Sequence, residues 1–300
     1  MYSKLRHHAV NVKVHANWWI RDRFPDRKVT RHVQGVDLVL PWSHRLPDYA
    51  QTDGPYGQNL VHFAAALAAV DGEPVTVLDV GANVGDSAAQ IVAACDAQVL
   101  CVEADPYYLE FLHLNVDALP QVTVVEGLLT LDGTEKATTA VRSGGTTHFV
   151  EGSAESANAM GSVTMTALRE GNPAFEKLRL VKSDTDGYDV VLVPALAKSW
   201  GGNPALFFEY DHFFSREVGN DPLAVWTALA ELGYTDVAVW DNGGILLGRV
   251  PVTEIAAKTA HLDEKIGARS HMYWDVAVVH GDDKAGLEAL ERIAPASQQL

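Results

Sequence analysis

The chain has 300 residues, 47% of them hydrophobic and 21% charged, and its formal net charge at pH 7 is −16. This length and apolar content allow a sizeable core, whereas two cysteines are too few for a disulfide framework. The negative charge argues against general binding to nucleic-acid phosphates. No run of about 18 apolar residues and no signal-peptide core is present, so we expect a soluble, cytoplasmic protein without a transmembrane segment.

The N-terminal region differs in charge from the rest of the chain. Residues 1–32 carry eight Lys or Arg against two Asp or Glu, a local charge of +6. This basic arm, with Trp18, Trp19 and Ile20, could dock on the acidic remainder, on a second protomer of a homodimer, or peripherally on an anionic membrane. Packing against a neighbouring helix or protomer is the commoner role of such aromatics. We expect residues 1–70 to form a basic extension with a helix, and residues 71–300 the main domain.

The next segments predict an alternation of strands and helices. Residues 36–42 read as a short strand and Gln58 to Val70 as a helix that stops at Asp71-Gly72. From Pro74 onwards the predicted strands are 75–80, 97–104, 122–127, 178–184 and 205–211, and the predicted helices are 86–95, 106–118 and 189–198. Short apolar strands separated by helices are typical of a doubly wound, mostly parallel α/β sheet.

The C-terminal part predicts antiparallel additions to this sheet. Asp241-Asn242-Gly243-Gly244 favours a tight hairpin turn between two strands, and residues 273–280 form a further predicted strand. Residues 128–165 are rich in Thr, Ser and Gly and predict a hairpin with an ordered loop.

The first strand of the alternating region runs into the turn "VLDVGANVGDS", residues 77–87. Open α/β sheets bind ligands at such strand–helix turns, and Gly81 and Gly85 would let backbone approach a ligand. Asn83 and Asp86 stand where a dinucleotide fingerprint needs glycines, and no P-loop lysine follows. The turn therefore suits a ligand with an ammonium or sulfonium group better than a phosphate.

A second acid supports this interpretation. Glu103 ends the next predicted strand, where a carboxylate can accept both hydroxyls of an adenosine ribose. A ribose diol together with a cationic amino-acid tail describes S-adenosylmethionine.

Three stretches resemble the FkbM family of S-adenosylmethionine-dependent methyltransferases, which have the class I methyltransferase fold. They are "VLDVGANVGDSAAQI", "VLCVEADPYYLEFLHLN" and "LVKSDTDGYDVVLV". The third matches the family pattern K-I-D-x-[ED]-G-x-[ED] at Lys182, Asp184, Asp186, Gly187 and Asp189. Two features depart from the family: Ser183 replaces an aliphatic residue, and an upstream T-L-D segment is reduced to "MTALRE".

The resemblance implies a methyltransferase that O-methylates a hydroxyl of a sugar, glycan or natural product. It implies that Asp79, Gly81, Asn83 and Gly85 line the methionine end of the cofactor and that Glu103 holds its ribose. Asp86, in the same turn, and Asp105, beside Glu103, complete the expected cofactor-binding set. Asn115 could lie close by or on a helix surface.

The candidate catalytic residues follow the fourth and fifth predicted strands. Asp184 and His212 are the leading pair for removing the acceptor's proton or orienting the acceptor. As structural alternatives, Asp186 and Asp189 could cap the next helix and His212 could bond a loop carbonyl. Further candidates for acceptor contacts are His44, Arg45, Tyr49, Tyr56, Arg142 and His148.

Three other functions stay open on the sequence. Asp184, Glu209 and Asp211 could hold Mg²⁺ in a metal-dependent O-methyltransferase, although acids at strand ends also serve without a metal. A noncatalytic S-adenosylmethionine-binding regulator would need the cofactor site alone. A nicotinamide oxidoreductase is disfavoured by the broken glycine pattern.

Overall fold

The computed structural model describes residues 17–50, 55–132, 138–143, 146–151, 161–264 and 272–300, with the backbone alone for 138–143 and 146–151. Residues 17–21 are helical. The strands are β1 (Lys28–Val33), β2 (Val36–Pro41), β3 (Val75–Val80), β4 (Ala97–Glu103), β5 (Val122–Glu126), β6 (Leu128–Thr130), β7 (Thr138–Ser143), β8 (Thr146–Glu151), β9 (Ser162–Thr164), β10 (Leu180–Ser183), β11 (Ala205–Tyr210), β12 (Tyr234–Asp241), β13 (Leu246–Pro251) and β14 (Trp274–His280).

Helices separate most of the strands of the main sheet. They are α1 (Leu46–Tyr49), α2 (Gln58–Asp71), α3 (Asp86–Ala94), α4 (Pro106–Val116), α5 (Met165–Gly171), α6 (Asp189–Trp200), α7 (His212–Glu217), α8 (Ala224–Glu231), α9 (Val252–Ile255) and α10 (Lys284–Ile293). Short 3-10 turns lie at Pro173–Phe175, Ala256–Lys258 and Ala260–Asp263. No described helix has both the length and the apolar character needed to cross a membrane.

The main sheet has eight strands in the order β13-β12-β14-β11-β10-β3-β4-β5. Strands β5, β4, β3, β10 and β11 are parallel, and β14 pairs antiparallel with both β11 and β12. This arrangement confirms the predicted doubly wound, mostly parallel α/β fold. The predicted strands and helices of residues 75–127 and 178–211 are all present, with ends shifted by at most a few residues.

Alternate residues of the strands pack in two separate hydrophobic cores, one on each face of the sheet. Val77 and Val99 face a core formed with α2, α3 and α10, while Leu78 and Leu100 face a core formed with α6 and α8. Strands buried on both faces explain the nearly continuous apolar runs in the sequence. Helix α2, although it precedes the first strand of the sheet, packs into the first of these cores.

The N-terminal region contains a hairpin whose second strand, β2, confirms the short strand predicted at residues 36–42, whereas its first strand, β1, was not predicted. Strand β1 pairs antiparallel with β2, from Lys28 opposite Pro41 to Val33 opposite Val36. Leu38 and Leu40 pack in a third cluster with Tyr108 and Phe111 of α4. The hairpin therefore packs on helices α3 and α4 of the main domain.

The C-terminal additions agree with the predicted antiparallel strands. In the turn between β12 and β13, the Asp241 carboxylate accepts the backbone N–H groups of Gly243 and Ile245 at 3.0 and 2.9 Å. In the Thr/Ser/Gly-rich region, β7 and β8 form the predicted hairpin. Residues 133–137, 144–145 and 152–160 of that region lie outside the described part of the chain.

Candidate functional site

A cleft opens at the carboxyl ends of the central strands. It encloses about 700 Å³ of space, including its open mouth, and is lined by residues from β10, β11, α2 and the turn after β3. Strand β14 runs antiparallel to β11, so the first residues of β14 lie beside the carboxyl end of β11, at the cleft. Gln34 and Leu46 of the N-terminal region close one side of the cleft.

Residues 81–85, the glycine loop, join β3 to α3. Gly81, Asn83 and Gly85 have φ angles of 74°, 50° and 82°, the left-handed region that favours glycine. A Cβ on Gly81 would lie 2.0 Å from the backbone oxygen of Asp184, and one on Gly85 would lie 2.7 Å from Leu112. Packing within the protein thus requires both glycines, whereas the sequence interpretation attributed them to close approach of a ligand.

A buried ion pair lies beneath the glycine loop. The Asp79 carboxylate accepts the Ser87 hydroxyl at 2.6 Å and lies 2.8 Å from the Lys182 ammonium. Lys182 also donates to the Gly81 carbonyl at 2.8 Å. Burial alone would lower the pKa of Lys182, but the carboxylates of Asp79, Asp184 and Asp86 together outweigh it and raise that pKa above its ordinary value. Lys182 therefore stays charged and is already neutralised by Asp79.

Glu103 and Asp105 hold the neighbouring turn. Glu103 accepts three backbone N–H groups, from Asn83 at 2.7 Å, Ala104 at 2.9 Å and Asp105 at 2.7 Å. Burial raises the pKa of Glu103, and these hydrogen bonds oppose the rise. The Asp105 carboxylate caps α4 by accepting the Tyr107 N–H at 2.9 Å. Glu103 thus fixes the glycine loop against the end of β4, and it is not among the residues that line the cleft.

In the part of the chain that the structure describes, four carboxyl groups line the cleft. They belong to Asp86, Asp184, Glu209 and Asp275. The Asp184 side chain is half exposed, and its carboxylate lies 4.0 Å from the ammonium of Lys182. The lining therefore favours a cationic ligand over an anionic one.

The environment of three of these acids, Asp86, Glu209 and Asp275, favours their protonated forms. Burial raises the pKa of Asp86 to about 6, and burial raises that of Asp275 to about 7. Burial and the nearby Asp184 raise the pKa of Glu209 well above its ordinary value. Glu209 and Asp275 are directly opposite each other on β11 and β14, so their negative charges would repel if both were ionised.

Several lining residues were not singled out by sequence reasoning. Asn59 of α2 donates to the Asp275 carboxylate at 2.8 Å, and Tyr273 lies beside it in the lining. The one available signal was the position of Asp275 at the start of a predicted strand. The neighbours of that strand in the sheet could not be inferred from the sequence, so neither could the presence of Asp275 at this edge.

Two residues predicted for catalysis or metal binding, His212 and Asp211, lie elsewhere. His212 is buried and does not line the cleft; its ring nitrogens lie 3.0 Å from the Asp263 carboxylate and 2.8 Å from the Tyr210 hydroxyl. Asp211 caps α7 by accepting the Phe214 N–H at 2.8 Å. Within the described ranges, no group of three or more His, Cys, Asp or Glu is placed to hold a metal ion. The proposed Asp184/Glu209/Asp211 magnesium cluster therefore has no support from the structure.

The two other acids of the "LVKSDTDGYDVVLV" stretch, Asp186 and Asp189, differ in environment. Asp189 accepts the hydroxyls of Ser183 at 2.6 Å and Thr185 at 2.9 Å, which ties the end of β10 to the start of α6. Asp186 has a left-handed φ of 49°, and burial, with Asp184 nearby, raises its pKa to about 8. Asp189 therefore has a clear structural role.

Of the residues predicted to contact the acceptor, some line the cleft and others do not. Tyr56 lines the cleft and packs on the exposed Tyr49, with ring centroids 5.5 Å apart. Arg45 pairs with Asp22 at 2.7 Å, away from the lining. His44 bonds to Asn83 of the glycine loop. The side chains of Arg142 and His148 lie outside the described part of the chain.

The structure thus defines a doubly wound α/β protein with an acidic cleft at its strand ends. No protein-family model and no curated protein sequence matches the chain. Its fold is similar to precorrin-6y C5,15-methyltransferase from Geobacter metallireducens GS-15, with 12% identity, a TM-score of 0.39 and coverage of 73% of this chain and 87% of that chain. It is also similar to M. jannaschii TYW2 in complex with AdoMet, with 10% identity, a TM-score of 0.41 and coverage of 84% of each chain. At such identities and scores, the similarities identify no activity or substrate.

Proposed function

We propose that this chain is an S-adenosylmethionine-dependent methyltransferase. The observation that carries the proposal is the glycine loop at the carboxyl end of β3, fixed by Glu103 of the adjacent strand and opening onto a cleft lined by four acids. This is the place where doubly wound sheets bind nucleotide-like ligands. The 17–50 region borders the same cleft, so we regard the extension and the main domain as one functional unit.

The lining residues fit the charge of this cofactor. A sulfonium and an ammonium group would both be attracted to carboxylates of the lining, and by the same interaction they would favour the ionised forms of its buried acids. Lys182, the one Lys among the described residues of the lining, is paired with Asp79 and does not offset that attraction. A dinucleotide, with its anionic pyrophosphate, fits the same lining poorly.

The proposal assigns the cofactor-binding roles as follows. Asp86, Asn83 and the backbone of the glycine loop would hold the amino-acid end, and Glu103, with Asp105 behind it, the ribose. Each oxygen of Glu103 can accept more than one hydrogen bond, so the three amides that it holds do not exhaust the carboxylate. Asp79 would act indirectly, by fixing Lys182 and Ser87 beneath the loop.

The proposed acceptor is a hydroxyl group of a sugar, glycan or natural product, as the resemblance to the FkbM family suggests. When bound, the cofactor supplies a methyl group that leaves its sulfonium, with the bonding electrons kept by sulfur, as the acceptor oxygen attacks. Asp184 would take the hydroxyl proton, because it is half exposed and lines the cleft. Tyr56, Asn59 and Tyr273 are polar lining residues that would orient a hydroxylated acceptor.

A methyl-transfer assay tests this function. Isotope-labelled S-adenosylmethionine would be incubated with sugars, glycans and hydroxylated natural products, with and without EDTA. We expect label transfer that EDTA does not affect and that falls by about 10²–10⁴-fold in Asp184→Asn. Asp282→Asn, a change at an almost fully exposed position, is the matched control and should leave transfer unchanged.

The other outcomes of this assay distinguish the alternatives. Cofactor binding without transfer to any acceptor would indicate a noncatalytic regulator. Loss of transfer with EDTA, restored by Mg²⁺, would indicate a metal-dependent enzyme. Full activity of Asp184→Asn would refute the assignment of the base.

A further inference from the structure

His44, in the N-terminal region, reaches the glycine loop from outside the main sheet. It is buried, and its ring meets that of Tyr108 edge-on, with centroids 5.9 Å apart. Its Nδ1 accepts the backbone N–H of Leu46 at 3.2 Å, so the ring proton must reside on Nε2. Nε2 then donates to the side-chain oxygen of Asn83 at 3.1 Å. Burial lowers the pKa of His44 to about 4, which keeps this neutral tautomer at physiological pH.

Asn83 is the residue of the glycine loop that most needs such support. It has a φ of 50°, a left-handed conformation that is uncommon for residues with a side chain, although Asn adopts it more readily than most. Its backbone N–H donates to Glu103 at 2.7 Å, and its side chain accepts from His44. Asn83 is thus held from two directions, and it lines the cleft.

The backbone that carries His44 is itself fixed. Arg21 donates to the backbone oxygens of Trp42, at 2.6 Å, and His44, and its guanidinium pairs with Asp48 at 2.7 Å. These contacts keep residues 42–44 from moving with the loop. His44 can therefore act as a fixed point against which the loop is held.

Asn115 of α4 ties the same N-terminal region to the next residue of the loop. Its side-chain amide donates to the carbonyls of Val39, at 3.1 Å, and Val84, at 2.8 Å, and its oxygen accepts the Val39 N–H at 2.7 Å. Two side chains, His44 and Asn115, therefore link the N-terminal region to adjacent residues of the loop. The sequence interpretation left Asn115 undecided between a site and a surface position.

We propose that His44 is a positioning residue that holds Asn83, and with it the glycine loop, in the conformation that binds the cofactor. The N-terminal region is then part of the cofactor site. The consequence for cofactor affinity rests on the proposed function, whereas the effect on the loop does not.

The test combines cofactor affinity with a measurement that needs no ligand. Calorimetric titration with S-adenosylhomocysteine would give the Kd of His44→Leu, His44→Gln and the wild type. Hydrogen exchange of the backbone amides of residues 82–85 would be followed in the ligand-free proteins. His32→Leu is the matched control, because His32 is exposed on β1 and pairs with Asp37 instead.

We expect His44→Leu to weaken S-adenosylhomocysteine binding about tenfold and to speed exchange of the loop amides. His44→Gln, which keeps an N–H donor, should have an affinity and a loop exchange rate close to those of the wild type. His32→Leu should alter neither the affinity nor the exchange rate. Asn83→Gly accepts the left-handed φ without the side-chain bond. In a double-mutant cycle with His44→Leu, the two losses should therefore not add.

Unchanged affinity and unchanged loop exchange in His44→Leu would overturn the proposal, even if that variant were less stable. Additive losses in the cycle would overturn it too. If the wild type bound no S-adenosylhomocysteine, the proposed function would fail, and loop exchange alone would decide the role of His44. If His44→Leu did not fold, the comparison of Asn83→Gly with the wild type and His44→Gln would decide it.

Discussion

Lys182 makes the most consequential single contact beneath the cleft. Its ammonium bridges the buried Asp79 carboxylate and the Gly81 carbonyl, so it connects β10 to β3 at the point where the glycine loop begins. The sequence showed Lys182 as a motif residue and Asp79 as a strand-end acid. That they pair could not be read from the sequence, because the partners are 103 positions apart and meet only through strand pairing.

Replacing Lys182 by Met should destabilise the protein. The change leaves the Asp79 carboxylate buried without its cation, which typically costs about 3–5 kcal/mol. Urea unfolding would measure the loss, with Lys198→Met on the exposed face of α6 as control. The double variant Asp79→Asn/Lys182→Met should recover part of the stability. A loss no larger than that of Lys198→Met would contradict this role of the ion pair.

Asp275 predicts a pH dependence of stability. Burial raises its pKa from 3.8 to about 7 in the folded protein, so between these values the folded state holds a proton that the unfolded chain releases. The resulting stabilisation is complete below about pH 4 and is lost as the pH rises through about 7. Asp275→Asn imitates the protonated form and should raise Tm relative to the wild type at pH 8 but not at pH 4.

Thermal unfolding of wild type and Asp275→Asn across this range would check the prediction. Asp282→Asn, at an exposed position, serves as the control and should show no such difference. An Asp275→Asn variant less stable than wild type at pH 8 would show that the ionised carboxylate is favourable there.

At the scale of elements, the glycine loop depends on how closely β3 and β10 approach each other. Gly81 and Gly72 have nearly the same φ, 74° and 70°, but a Cβ on Gly81 would meet the Asp184 carbonyl whereas one on Gly72 would meet nothing within 4 Å. Gly72→Ala should therefore cost only the conformational strain, about 1–2 kcal/mol. Gly81→Ala should cost a further 1–3 kcal/mol, roughly, from overpacking.

Urea denaturation of the two variants measures this difference directly. Because the substitution and the conformation are matched, the difference isolates the contact with the end of β10. Equal losses in the two variants would mean that the loop moves away from Asp184 without cost.

Strands and helices of the main sheet could be predicted where their own sequence has the expected pattern of apolar residues. Strands β3 and β4 are nearly continuous apolar runs because both faces are buried. Asp184 could be placed in the site because it directly follows a strand, and Asp86 because it begins the helix after the glycine loop. Strand β1 was missed because most of its side chains are exposed and three of its six residues are basic or His, so it shows no apolar alternation. Strand β1 is instead formed through its backbone pairing with β2, which its own sequence does not indicate.

At the scale of the whole molecule, the strand order and the walls of the cleft were beyond the sequence. Strand β14 inserts between β11 and β12, which brings Tyr273 and Asp275 from the C-terminal region to the same edge as Asp184. Gln34 arrives from the N-terminal hairpin and Asn59 from α2. Such contacts join distant parts of the chain, and no local pattern specifies them.

The central claim is that this assembled cleft binds S-adenosylmethionine. Thermal unfolding with S-adenosylmethionine, S-adenosylhomocysteine, NAD or no ligand tests it most directly, with Asp86→Asn alongside. Glu103→Ala is less informative, because Glu103 holds three backbone amides and its loss would disturb the loop itself. Asp282→Asn is the control.

Both sulfur nucleosides at 100 times their Kd should stabilise the wild type by about 2.7 kcal/mol, and NAD should not. The shift should shrink in Asp86→Asn at the same concentrations and persist in Asp282→Asn. Stabilisation by NAD, with no response to either sulfur nucleoside, would contradict the account.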